Sequence, residues 1–152
     1  MKSTKTDPSI LAYFADLTHT AQGVNAKTFP LGIGCVVAYA RQEIGDFLAT
    51  ELFKLPKDLD EALSTKIPDL LCLSNYSWNF RLAYKFAQLA KEKKPDLIIV
   101  MGGPNYPLDA EKRVDFLKKN HLIDFYISNE GEEGFVDLLR KLKSNNLDAE
   151  II

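Results

Sequence analysis

Four short stretches of this chain concentrate residue types that can bind or react. "DLTHTAQG" (16–23) carries His19, whose imidazole can hold a metal ion or exchange a proton near neutral pH. A lone histidine in a polar loop is usually just solvated, and a ligand role is the less common reading. "SNYSW" (74–78) places a hydroxyl at Ser74, an amide at Asn75 and a ring at Tyr76; Trp78, at a helix start, is expected to be packed. "GGPNYP" (102–107) leaves the backbone bare at Gly102 and Gly103, then stiffens it with Pro104 and Pro107. Such a stretch serves either a tight turn needing positive φ or a flat ligand resting on backbone, with Asn105 and Tyr106 supplying polar and stacking contacts. "NEGEEGF" (129–135) sets Glu130, Gly131 and Glu132 at a helix start, where the dipole favours carboxylates. Its two glycines exceed what a cap requires.

These stretches recur at the same kind of place. Apolar runs of strand length alternate with helical patterns, the signature of a parallel sheet covered on both faces. Strands are predicted at 10–15, 48–53, 69–74, 96–101 and 123–127. Helices are predicted from Pro30 to Gly45, from Pro56 to before Pro68, from Ser77 through Ala90, over 109–119, and from Glu132 to Lys143. The first helix is apolar almost all round and should be deeply packed. On the fourth, Val114 and Leu117 should face inward, and the strand at 48–53, with Thr50 and Glu51, reads as an edge. Right-handed crossovers then favour a flavodoxin-like (Rossmann-like), doubly wound α/β fold of five parallel strands in the order 2-1-3-4-5. In such folds ligands bind beyond the carboxyl ends of the strands, which is where the four polar stretches fall. The amino ends are plain Pro-Asp or Ile-Asp steps.

Composition narrows the classes. A chain of 152 residues with 46% hydrophobic and 26% charged residues reads as one soluble domain, and a net charge of −2 gives no case for nucleic acid or an anionic membrane. Lysines at 91–94 and 118–119 sit at predicted helix ends, where they complement the dipole and stay solvated. No stretch approaches the ~20 apolar residues of a membrane span, and no secretory leader is recognisable. Cys35 and Cys72 lie in apolar settings as small hydrophobes, and without a Cys-x-x-Cys pair neither zinc nor an iron–sulfur cluster can be assembled from them. A cytoplasmic setting is expected.

Taken in order, the loops resemble the cobalamin-binding domain found at the amino end of cobalamin-dependent radical SAM proteins. "TFPLGIGCVVAYA" is similar to that family's Pro-Leu-Gly-Leu opening of the first helix. "PDLLCLSNYSWN", "PDLIIVMGGPNYP" and "IDFYISNEGEEGF" look like its third, fourth and fifth strands with their loops, and the Ser74-to-Gly102 interval agrees as well. The likeness covers about residues 10 to 143. It implies a corrin lying across the carboxyl edge of the sheet. Gly102 and Gly103, with Pro104 and Asn105, would line the channel of the nucleotide tail, and Ser74, beside Asn75 and Tyr76, would bond to that tail. Thr28, Pro30, Leu31 and Gly32, with Glu130, Gly131 and Glu132, would complete the cofactor site and face a catalytic domain. His19 becomes the candidate axial ligand of cobalt, although Asp16-x-x-His19-x-x-x-Gly23 is one residue longer in each gap than the Asp-x-His-x-x-Gly of cobalt-ligating members.

The cysteine triplet of radical SAM enzymes is absent, so the resemblance assigns S-adenosylmethionine, the cluster and the radical chemistry to a C-terminal domain, and no catalytic residue to this chain. The implied organisation is a flexible polar segment at 1–9, the cobalamin-binding domain at 10–145, and the start of a linker at 146–152. The implied reaction is methyl transfer or related radical chemistry. Two other readings share the topology. A flavin-binding electron carrier would stack its ring between Tyr76 or Trp78 and Tyr106, but residues 24–29 intervene where a phosphate loop should open directly onto a helix. A degenerate cobalamin domain, its crevice closed by Tyr76 and Trp78, would serve only for docking. A phosphoacceptor domain is excluded, because Ser74-Asn75 and Ser128-Asn129 stand where its aspartate and lysine belong.

Overall fold

The computed structural model describes residues 10–19 and 29–151. Thr28, with residues 20–27 of the polar loop, lies outside the described residues. Five parallel strands form one sheet: β1 (Ile10–Ala15), β2 (Leu48–Phe53), β3 (Leu70–Ser74), β4 (Ile98–Gly102) and β5 (Phe125–Ile127), in the order β2-β1-β3-β4-β5. This is the expected flavodoxin-like order. Five helices alternate with them: α1 (Leu31–Ile44), α2 (Pro56–Thr65), α3 (Phe80–Lys93), α4 (Ala110–Lys119) and α5 (Gly131–Ser144).

The two faces of the sheet are covered separately. Tyr13, Leu71, Leu73, Ile99 and Met101 point to the side of α2, α3 and α4, where Leu59, Leu63, Phe86 and Ala87 close the core. Ile10, Phe14, Leu70, Cys72, Ile98 and Val100 alternate to the other side, where α5 contributes Phe135, Val136, Leu139 and Leu142. Beyond α5, Leu147 and Ala149 pack on that second core. The "plain" aspartates at the amino ends have a structural task. Asp69 accepts the Leu11 N–H at 2.9 Å and Asp124 the Ile99 N–H at 2.7 Å, so each carboxylate begins a neighbouring strand. Lys91 and Lys94 pair with those same carboxylates, at 2.9 and 3.5 Å, rather than remaining fully solvated.

Five expectations are corrected. Among α1 residues only Ala40 is buried. Ile33 and Val36 are only partly buried: they pack on the second core and also border a cavity, which leaves the helix half-covered. Cys35 is accordingly exposed on its outer side. Val114 is 51% exposed, and α4 packs inward through Phe116 and Leu117. Trp78 is 65% exposed and stacks on Tyr76 at 4.6 Å rather than entering the core. Strand ends also shift: β4 runs to Gly102 and β5 starts only at Phe125, with Leu97 and Ile123 buried in the preceding turns.

Candidate functional site

Parallel strands bring their carboxyl ends to one edge, and register decides which residues meet there. Ser74 lies opposite Gly102, and Gly102 opposite Ile127. The Ser74 hydroxyl donates to Asp16 Oδ1 at 2.5 Å and accepts from Asn79 Nδ2 at 3.0 Å. Asn79 Oδ1 in turn accepts the Tyr76 N–H at 2.8 Å, which sets the turn into α3, and the helix starts at Phe80 rather than at Ser77. A buried polar chain therefore ties β1, β3 and α3 together at the edge.

The "GGPNYP" loop is fastened to β3 by amides. Asn75 is fully buried; its Nδ2 donates to Asn105 O at 2.7 Å, and its Oδ1 accepts from Asn105 Nδ2 at 2.9 Å. Gly103 passes directly over this pair with φ +127, and a Cβ there would stand 2.6 Å from Asn75 O. The missing side chain at Gly103 thus answers to the protein's own backbone. Tyr126 supports the loop from below, donating to Gly103 O at 2.7 Å while its ring stacks on Tyr106 at 3.7 Å. Gly131 and Gly134 also serve close packing, since a Cβ at either would stand 3.1 Å from Val36 or 3.0 Å from Ile127.

Burial pushes the Tyr126 phenol up to about 12, against a hydrogen bond from Asn75 that lowers it. The folded state therefore holds this proton more firmly than the unfolded chain does. The resulting stability is complete below pH 10 and fades as pH rises towards 12. Tyr126→Phe should cost about 1–2 kcal/mol in urea unfolding at neutral pH. Its gap from the unaltered protein should narrow through that alkaline window; a constant gap would mean that the phenol does not sense its burial.

Between α1, α5 and the sheet, a cavity of about 580 Å³ opens at this edge. Its deep wall is apolar. Phe14, Cys72 and Val100 are register neighbours on successive strands, and Ile33, Val36 and Phe135 close over them. Burial raises the Cys72 thiol far above its usual range, so it stays a neutral apolar wall. The mouth is more polar, with Ser74, Tyr76, Gly102, Gly103, Pro104, Ser128, Asn129, Glu130, Gly131 and Glu132. Gly32 borders it from α1.

Most of the residues expected from sequence thus gather around one crevice: Gly32, Ser74, Tyr76, Gly102, Gly103, Pro104, Glu130, Gly131 and Glu132 line it. Asn75 and Asn105 stand behind it as the loop clamp. Pro30 and Leu31 precede Gly32 at the start of α1 and are not among the described lining residues, Leu31 at 68% exposure. His19 is exposed, and its Nε2 lies 2.9 Å from Trp78 O, which makes Nε2 the protonated nitrogen. Among the described residues no group of three His, Cys, Asp or Glu side chains could hold a metal ion.

A model of the B12-binding domain matches residues 20–139. The chain belongs to the B12-binding domain family. It is 35% identical over 122 residues to 2-(S-pantetheinyl)-carbapenam-3-carboxylate methyltransferase of Streptantibioticus cattleyicolor, covering 77% of this chain and 18% of that protein. It is 34% identical over 131 residues to the cobalamin-dependent radical SAM methyltransferase TokK of Streptomyces tokunonensis, covering 83% of this chain and 19% of the relative. The B12-binding domain therefore spans less than a fifth of either relative. Its crevice suits the family's cofactor in kind. The cavity falls within the roughly 300–1,000 Å³ of small-molecule sites, with an apolar inner wall and polar groups at its mouth. The flavin reading gains no support from this membership. Tyr76 and Trp78 stack on each other beside an open crevice instead of closing it.

The sequence reading missed the deep wall. Its signal lay in the alternation of the strands, which puts residues 14, 72 and 100 on one face, but nothing there distinguishes lining from core.

Proposed function

We propose that this domain holds cobalamin for a larger methyltransferase, with the nucleotide tail in the cavity between α1 and α5 and the corrin across the carboxyl edge. The cavity carries this reading: it opens at the edge where the strand order reverses, and its floor is apolar while its mouth is polar. A corrin is too broad to enter it, so the macrocycle would rest outside, near the lining residue Leu108, 92% exposed, and near Trp78, 65% exposed and stacked on the lining residue Tyr76. Exposed apolar groups grouped in this way suit a surface covered by cofactor and partner. Ser74, held by Asp16 and Asn79, would meet the tail at the mouth. Bound cobalamin supplies the cobalt chemistry; the chain's residues place it and exclude water.

The names of the two relatives support methyl transfer, and TokK supports a radical SAM catalytic domain as the partner. S-adenosylmethionine and an iron–sulfur cluster would belong to that partner. His19, through its Nδ1, stands as the candidate ligand on the cobalt side.

Val36→Trp tests the tail position. Val36 lines the cavity from α1, half-buried, so the indole would occupy the space proposed for the tail. Overpacking should cost about 1–3 kcal/mol, leaving the fold intact by circular dichroism. Hydroxocobalamin affinity, followed by visible absorbance, should fall roughly tenfold or more, about 1.4 kcal/mol per decade. Equal affinity would remove the tail from this cavity, and an unaltered chain that binds no cobalamin at high micromolar concentration would sink the reading.

A further inference from the structure

The crevice is electrically lopsided. Among the described residues that line it, Glu130 and Glu132 are the acidic groups, both at the start of α5, and Arg113 of α4 is the cation. Arg113 makes no ion pair among the described residues. Its Nε donates to Pro107 O at 2.8 Å, and its guanidinium carbon lies 5.5 Å from the Tyr106 ring centroid. Tyr106 stacks on Tyr126, which is bonded to Gly103 O, so the guanidinium is braced against the same loop that forms the cavity mouth. With Nε engaged, the terminal nitrogens carry the remaining donors, and no other hydrogen bond of this side chain occurs among the described residues.

We infer that Arg113 is the anion-recognising group of this crevice and takes the phosphodiester of cobalamin's nucleotide loop. The inference rests on the cobalamin reading above. The amide side chains of the corrin are neutral, whereas the phosphodiester is a fixed anion linking the corrin to the base that enters the cavity. A preset guanidinium with free donors favours such an oxyanion by charge and by paired hydrogen bonds. Glu130 and Glu132 disfavour it near α5, which directs it towards the α4 side of the mouth. Arg113 would thereby distinguish complete cobalamin from corrinoids that lack the tail.

The test compares hydroxocobalamin with cobinamide, the corrin without its nucleotide tail, on the unaltered chain, Arg113→Met and Arg113→Lys. Methionine keeps the apolar stem and should lower cobalamin affinity roughly tenfold while leaving cobinamide affinity unchanged. Lysine should restore part of the loss. Cobalamin affinity of the unaltered chain should weaken as salt rises, and that dependence should flatten in Arg113→Met. Equal losses for the two corrinoids, or a salt dependence that persists in Arg113→Met, would reduce Arg113 to a brace for the loop. A normal Arg113→Met also overturns the inference while leaving the cobalamin reading intact. An unaltered chain that binds no cobalamin fails at the earlier step and sinks both.

Discussion

Gly103→Ala should destabilise the fold by about 3 kcal/mol or more, lowering the melting temperature by about 10 °C. Two effects add. The backbone at Gly103 has φ +127, a region that residues with a Cβ rarely adopt. The added Cβ would also stand 2.6 Å from Asn75 O and 3.0 Å from Asn75 N, which are backbone atoms at the end of a central strand and cannot swing aside. Relief requires the loop to lift, and lifting it strains the Asn75–Asn105 amide pair and the Tyr126 bond to Gly103 O. Gly102→Ala is the matched comparison. Its Cβ would meet Ile127 O at 3.3 Å, a contact that a few tenths of an ångström relieve, so a loss near 1 kcal/mol is expected. Thermal and urea unfolding of both variants measure the difference. Equal losses would show that the loop is loose enough to yield. For the same reason a bulky residue at Gly103 would report collapse of the loop, not exclusion of a ligand.

The architecture was legible because each cue that specifies it is local. Pro30, Pro56 and Gly45 mark helix limits, and the apolar runs at 10–15 and 48–53 coincide with β1 and β2. Parallel strands then carry their end residues to a common edge, which is why Ser74, Gly102 and Glu130 could be assigned to one site. What escaped depends on partners distant in the chain. Asn75 and Asn105 hydrogen-bond to each other across the loop, a pairing that no local cue in the sequence reveals. The nearly all-round apolar character of α1 predicted burial, but composition cannot reveal whether core or cavity lies opposite, and Ile33 and Val36 border the cavity as well as the core. Trp78 was expected to be packed because it stands at a helix start; beside a binding edge that cue weakens, and Trp78 stacks on Tyr76 at the surface. Arg113 drew no attention as one cation on an amphipathic helix, since its bond to Pro107 O and its place over Tyr106 arise only from the loop's return path.

Phe135→Ala should be as costly as the glycine change, about 3–5 kcal/mol, for the opposite reason. Phe135 is 1% exposed, and its ring meets that of Phe14 edge-on at 5.2 Å. It is at once the floor of the crevice and the first buried residue of α5, with Val136, Leu138, Leu139 and Leu142 continuing the core behind it. Truncation removes the ring's burial and also joins the cavity to the space it vacates. The walls of that space are β-strands and two helices, α1 and α5, already fixed by packing on each other and by the Arg140–Glu43 pair, so they have little freedom to close the gap. Phe135→Leu keeps most of the volume and should lose less than half as much. Urea unfolding of the two variants separates these cases. A loss below about 1.5 kcal/mol for Phe135→Ala would mean that α5 settles onto the sheet, and the cavity would then be a compliant space rather than a preformed one. A large loss means that the room between α1 and α5 is built in by packing around it, as a site that receives a rigid aromatic group requires.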